Sequence, residues 1–460
     1  MLRTTLLFAT LPLVTAGAGT AAFPVSNLKD SGPGSLRQAI TEAWPGGTIT
    51  VDVKGTLVLT NGPLLIGHSL NIEGPGPDKF TISAGHASRV FVIQKGTVAL
   101  SGMTISDGLA DVQSPIIACV GGGVLNYGAL TLSNVVVSDN VARGDASGGP
   151  FGRPGWAIAG GIANFGTLNV SSTHFRGNQA RGGDDSSLAS GGQTGVGLGG
   201  AFGNWGPATI DGSRFTVNVA QGGDRSIGTL SGMGFGGAIG NAGALIITGT
   251  TFTHNLAICG ERIGPNTGNA HSGAIGTGGE PGMTVSLAVS KSNFYHNQAI
   301  GGVGATGYGG GDAGGGGINI WNGTADIRDC DIEHNEATGG AGTSGANGGQ
   351  GSGGGLGAGN SYGLGSTMTV TDSVVAHNTA RGGQGKSGGL GGNGIGGGVN
   401  ENVATRLVLS GVTVTGNHAV GTAGGQGIGG GVYYLGTFNS DPSTQIEGNF
   451  ASTRNNNVGP

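Results

Sequence analysis

Charge and aromaticity are both scarce in this chain. Of 460 residues only 10% are charged and 5% aromatic, and the formal net charge is −5. No basic face can be assembled from so few cations, so nucleic acid is not an expected partner. Cysteine is nearly absent: Cys119, Cys259 and Cys330 cannot make a disulfide framework and fit no Cys/His zinc spacing. A Cys119–Cys259 bridge would have to span several repeats. Beyond the N-terminus no apolar run approaches the roughly 18 residues of a membrane span. Phosphate-loop signatures and the aspartates of calcium-binding nonapeptide repeats are also missing.

What is abundant is glycine, with 106 residues. Without a strict Gly-x-y period this excludes collagen, and the many Val, Ile and Leu residues argue against a wholly disordered chain. Residues 1–22 have the pattern of a secretory signal. Arg3 is the charged start, Leu6–Val14 the apolar segment, and Ala16-Gly17-Ala18 or Thr20-Ala21-Ala22 the small-residue cleavage site. A secreted or cell-surface location is therefore expected. Residues 23–47 form a cap: Ser35 and Gln38 make a capping box, and Leu36, Ala39, Ile40 and Ala43 share one helical face. Trp44-Pro45-Gly46-Gly47 ends that helix.

Residues 48–460 show strand alternation and, from about Gly121, an internal repeat. Its terminal Asn recurs at Asn140, Asn178, Asn218, Asn255, Asn297, Asn335, Asn378, Asn417 and Asn449, roughly 40 residues apart. Apolar residues recur at fixed offsets before each, as in Leu245, Ile247 and Phe252 before Asn255. Residues two apart pointing to one side make strands, and matching offsets make each repeat a coil stacked on the last. Helical repeats would need 3.6-residue spacing and fewer glycines. The reading is an all-β, right-handed parallel β-helix of about 12 coils. Each coil is expected to supply about three strands, with Gly-rich excursions such as 341–354 and 382–397 leaving from one corner. Such runs are flexible in isolation, and side by side they would form a glycine-rich flap. The capping helix is expected to cover the open edge of the first coil, and the polar 452–460 tail to blunt the last.

With Gly-Gly-Ala-Ile239 and Phe-x-x-Asn at 175–178, 215–218, 252–255 and 294–297, the chain resembles the repeats of chlamydial polymorphic outer-membrane proteins. The Ser35-Leu-Arg-Gln-Ala-Ile40 stretch and Gly62-Pro-Leu-Leu-Ile66 resemble the start of secreted bacterial β-helix proteins of the pectin-lyase-like kind. The resemblance implies the fold. It does not choose between adhesins, rods and polysaccharide-acting enzymes.

Stacked columns are the constellations in which chemistry could lie. The Asn column reads as a structural ladder. One position before it, His254, His296, His334 and His377 fall in consecutive coils, a candidate transition-metal or proton-titrating strip. Asp184, Asp224 and Glu261 recur at the loop bases and are the calcium candidates. Tyr127, Phe165 and Trp205, continued by Trp321 and Tyr362, are a candidate platform for sugar rings. Asp326, Asp331 and Glu333 are the catalytic candidates, as paired carboxylates suited to acid/base work on a glycoside. The Gly-Gly strands bear no charge, unlike the clustered Asp, Arg and Lys of lyase and galacturonase coils. The expected function is therefore a non-catalytic adhesion, binding or structural rod that requires no cofactor. Its expected partner is a polysaccharide or a host or neighbour cell surface. The alternative is a polysaccharide lyase or glycoside hydrolase, with calcium as its candidate ion.

Overall fold

The structure is a computed structural model that describes residues 22–187, 193–227, 232–264, 268–280, 282–360 and 364–460. The signal segment at 1–21 and Tyr362 lie outside the described residues. All the ladder pairings between neighbouring coils are parallel, which defines a parallel β-helix, right-handed by the rule for parallel crossovers. The 12 strands of one sheet, from Leu64–Ile66 to Val458–Gly459, match the expected coil number.

From Ala157 on, each repeat contributes five short strands rather than three. In one coil these are Gly234–Phe235, Ile239–Asn241, Ala244–Thr248, Thr251–Thr253 and Leu256–Ile258. The third and fourth columns merge into a 23-stranded sheet because Thr97–Ser106 and Ala129–Ser138 run through both. The second column is the 12-stranded sheet, the fifth a ten-stranded sheet and the first an eight-stranded sheet. The two additional strands flank the glycine excursions. Those before an excursion are at most three residues around one buried Ala and those after it two residues, too short for period-2 reasoning to detect.

The core follows the alternation. Leu245, Ile247, Phe252 and their equivalents point inward and are buried. Phe175, Phe215, Phe252 and Phe294 stack with ring centroids 4.4, 4.8 and 4.7 Å apart. Beside them runs the asparagine ladder. The backbone N–H and Nδ2 of Asn255 both donate to Oδ1 of Asn297, at 3.1 and 2.9 Å. Asn255 Nδ2 also donates to the Phe215 carbonyl in the preceding coil, at 2.9 Å. The pattern repeats from Asn140 to Asn449, where Asn457 accepts the last pair. A second ladder, Asn126–Asn164–Asn204–Asn241, links Nδ2 to Oδ1 at 2.7, 2.9 and 2.9 Å. Sequence anchoring on Phe-x-x-Asn missed it.

The glycine excursions form a second layer. Gly302 N–H donates to Gly268, Gly311 to Gly302, Gly340 to Gly311, Gly349 to Gly340, Gly383 to Gly349 and Gly392 to Gly383, at 2.7–2.9 Å. At Gly311 a Cβ would lie 1.8 Å from the Gly268 carbonyl oxygen, so no other residue permits this approach. The flap expected from the sequence is thus a hydrogen-bonded sheet of glycine backbones.

At the N-terminus the cap differs in one respect. The strand Ala22–Val25 pairs with Gly47–Val51 and extends the first coil's edge, and the helix Leu36–Glu42 packs beside it. Only half the capping box forms. Ser35 Oγ accepts the Gln38 N–H at 3.3 Å, while the Gln38 side chain donates to Glu42. Asp30 fixes the cap: its carboxylate accepts from Arg37 at 2.7 Å and from the Thr60 and Asn61 amides at 2.9 and 2.7 Å. Burial raises its pKa, but these donors outweigh that and hold it below the ordinary value.

Replacing Asn255 by Ala removes an acceptor for two buried donors of Asn218 and a donor to Phe215. The expected cost is about 3 kcal/mol in urea unfolding, with the loss shared by adjacent coils. An effect within about 0.5 kcal/mol would show the ladder to be dispensable.

Candidate functional site

The 12-stranded and eight-stranded sheets meet at a sharp corner, and the angle between their outer faces holds a second apolar cluster. Val120, Leu125, Trp156, Ile158, Ala163, Val196, Met233 and Phe235 are buried there, with Phe165, Leu198, Trp205 and Trp321 packed against them. Outward residues of the 12-stranded sheet are small where aromatics approach. A Cβ on Gly276 would lie 2.5 Å from the Phe235 ring. Where the cluster opens to solvent it leaves a groove of about 470 Å³, lined by Trp156, Phe165, Trp205, Phe235, Met283 and Trp321 among others.

The expected aromatic platform forms. Tyr127 stacks on Phe165 and Phe165 on Trp205, at 5.4 and 5.2 Å and interplanar angles of 19° and 23°. Phe165 and Trp205 line the groove, whereas Tyr127 heads the stack outside it. Trp321 closes the far side, 5.7 Å from Phe235. Three of the four tryptophans are therefore here. The polar rim was not foreseen. Arg153 lies 4.4 Å over Trp156, donates to Gln193 at 3.2 Å and pairs with Glu280, straddling the groove mouth from loops 127 residues apart. Both residues sit in irregular loops without periodicity, so nothing in the repeat pattern foretells the pairing.

The catalytic candidates lie elsewhere. Asp326 is on the outer face of the 23-stranded sheet and holds Arg328 through bonds of 2.9–3.0 Å. Asp331 and Glu333 lie on the next strand, Asp331–Glu333, as the alternation expected, with Ile332 inward. None of the three lines the groove.

The calcium candidates stack but face along the rod. Asp184 Oδ1 accepts the Asp224 N–H, and Asp224 Oδ1 accepts the Glu261 N–H, each at 2.8 Å. Arg225 pairs with Asp185 at 2.7 Å, and that guanidinium holds the Asp185 carboxyl below its ordinary range. The histidines also stack, with centroids 5.2, 5.2 and 5.1 Å apart. Among the described residues no three His, Cys, Asp or Glu side chains are grouped as a metal would need. The three cysteines are free and buried, with burial raising Cys119 to about 12 and Cys330 to about 11.

Next to the aromatic groove, His271 contacts Trp321 edge-on at 4.0 Å and lies 3.3 Å from Asn319. The residue is half-buried, and burial pushes its pKa down to about 3.

No protein-family model matches the chain, and no curated protein sequence does either. The resemblance to polymorphic outer-membrane protein repeats therefore has no family match behind it. Among solved structures, the chain is similar to an A-module of mannuronan C-5 epimerase from Azotobacter vinelandii. Identity is 11% and TM-score 0.36, covering 95% of this chain and 99% of that one. It is also similar to the catalytic unit of an α-1,3-glucanase from Streptomyces thermodiastaticus. There identity is 13% and TM-score 0.41, covering 93% and 69%. The β-helix assignment rests on this chain's own strand pairing.

Because the folded His271 titrates below its unfolded value of 6.5, the unfolded chain binds its proton more readily. Its stabilising contribution is complete above about pH 6.5 and is lost as the pH falls toward 3. His271→Gln is therefore expected to flatten the fall in Tm between about pH 7 and pH 4.5. An unchanged slope would mean that the ring is hydrated in the folded state.

Proposed function

We propose that the chain is an exported, non-catalytic rod that binds polysaccharide in its aromatic groove. The observation that carries this is the groove's lining: Phe165, Trp205 and Phe235 from three consecutive coils, with Trp321 two coils beyond Phe235. Flat apolar rings with a thin polar rim suit the faces of pyranose units, whose hydroxyls project from their edges. The reading needs no bound cation. Glycoside hydrolysis calls for two carboxyl groups flanking the scissile bond. The carboxylate lining this groove is Glu280, already held by Arg153. Export draws on the signal-like N-terminus. No helix among the described residues is long and apolar enough to cross a membrane.

The test is co-sedimentation of the mature chain with insoluble plant, algal and bacterial polysaccharides, with calcium and with chelator. Retention on at least one is expected, equal in both conditions, and Trp205→Ala should weaken it by about tenfold or more. Release of oligosaccharides that stops when Asp331 and Glu333 become amides would instead establish the lyase or hydrolase reading. Retention untouched by Trp205→Ala would remove the groove from consideration.

A further inference from the structure

At the corner between the Thr251–Thr253 and Leu256–Ile258 columns, each coil turns through one residue in the left-handed region. Glycine fills it at Gly177, Gly416 and Gly448. Yet His254, His296, His334 and His377 hold it in four consecutive coils, with φ of 55°, 56°, 55° and 56°. A side chain at positive φ is unfavourable, and histidine is among the few residue types enriched there. Four in succession place four exposed imidazoles in register, stacked at 5.1–5.2 Å with interplanar angles of 12–25°. The rings lie nearly parallel, one coil apart. They do not converge on a common point, as metal ligands must.

Imidazoles gain charge between about pH 5 and 8. When protonated, this strip becomes a row of cations at fixed spacing on a rod whose net charge is otherwise negative. The groups facing it are few. On the strands leading in are Tyr295, Asp331 and Glu333. On the strands leading away are Glu336 and Arg381, which pair with each other at 3.8 Å. Val217 and Gly416 bound the strip along the rod, and His418 lies just past its end. Burial and the two neighbouring rings hold the His296 imidazole below the ordinary histidine range. Asp331 and Glu333 offer two carboxylates on one side of a row of four cations, and an anion laid along the row would supply the remaining countercharge.

We propose that this histidine strip is an acid-dependent binding site for a linear polyanion, with anionic groups along an extended backbone seated on successive imidazoliums. The site is at a different corner of the coil from the aromatic groove and does not depend on it. The shared chemistry is a chain of phosphates or carboxylates, and two probes separate the sources: linear inorganic polyphosphate and linear polyacrylate.

The full mature chain is titrated with each probe by fluorescence anisotropy at about pH 5 and pH 7.5. At least one is expected to bind about tenfold or more tightly at the lower pH, with the gain lost at high salt. Asn tolerates the left-handed region, so the quadruple His→Asn variant keeps the turns. It should reduce the pH step to less than about threefold, and H296N/H334N alone should give an intermediate step. Should the quadruple variant melt abnormally, the double variant decides. Trp205→Ala should leave the step unchanged, so a failed groove and a failed strip give different results. A pH step that survives in the histidine variants would overturn the proposal. So would no step in the wild-type chain with either polymer.

Discussion

The rod depends on a side-chain amide that behaves like one more peptide group. From Asn178 on, each anchor asparagine accepts two N–H groups from the preceding coil's asparagine and donates to a main-chain carbonyl of that same preceding coil. The turn that follows the Phe-x-x strand would otherwise leave buried backbone donors unpaired, at a cost that no apolar contact offsets. Because acceptor and donor are the same residue type, the ladder extends by adding coils and fixes their register. The 4.4–4.8 Å phenylalanine stack beside it keeps the same spacing.

Once register is fixed, every other column inherits it. Exposed histidines, outward aromatics and loop carboxylates become rows because the asparagines do. The same constraint explains the glycine layer. Coil spacing is set by the ladder and the sheets, so the excursions must pack at a distance that only bare backbone permits, and they hydrogen-bond as a second sheet. The aromatic cluster is built elsewhere, between the 12-stranded and eight-stranded sheets, and none of these glycines lines it.

The aromatic groove therefore owes its existence to two layers meeting. The 12-stranded sheet contributes small outward residues and the aromatic that follows Asn164 and Asn204. The eight-stranded sheet contributes Leu198 and Phe235, and the loops contribute Trp156 and the Arg153–Glu280 pair. The acidic segment at Asp326–Glu333 lies on the convex outer face of the 23-stranded sheet, with Asp326 tied to Arg328. Dense polarity in sequence there reflects solvation of an exposed strand.

Much of this was legible in the chain itself. Apolar alternation and the recurring asparagine determined the coil, its number of turns and the inward faces, because a period of two and a fixed repeat leave one way of stacking. The same reading placed Tyr127, Phe165 and Trp205 in one row and the four histidines in another. Three things were settled only by tertiary structure. One was the pair of strands flanking each excursion, two or three residues long and too short to show a hydrophobic period. Another was the second asparagine ladder, visible only once Asn126, Asn164, Asn204 and Asn241 are seen to face inward. The last was the groove, whose lining comes from residues as far apart as Phe151 and Trp321. A repeat specifies what lies above and below each residue. What lies beside it depends on how the excursions fold back, and that is decided by packing between layers.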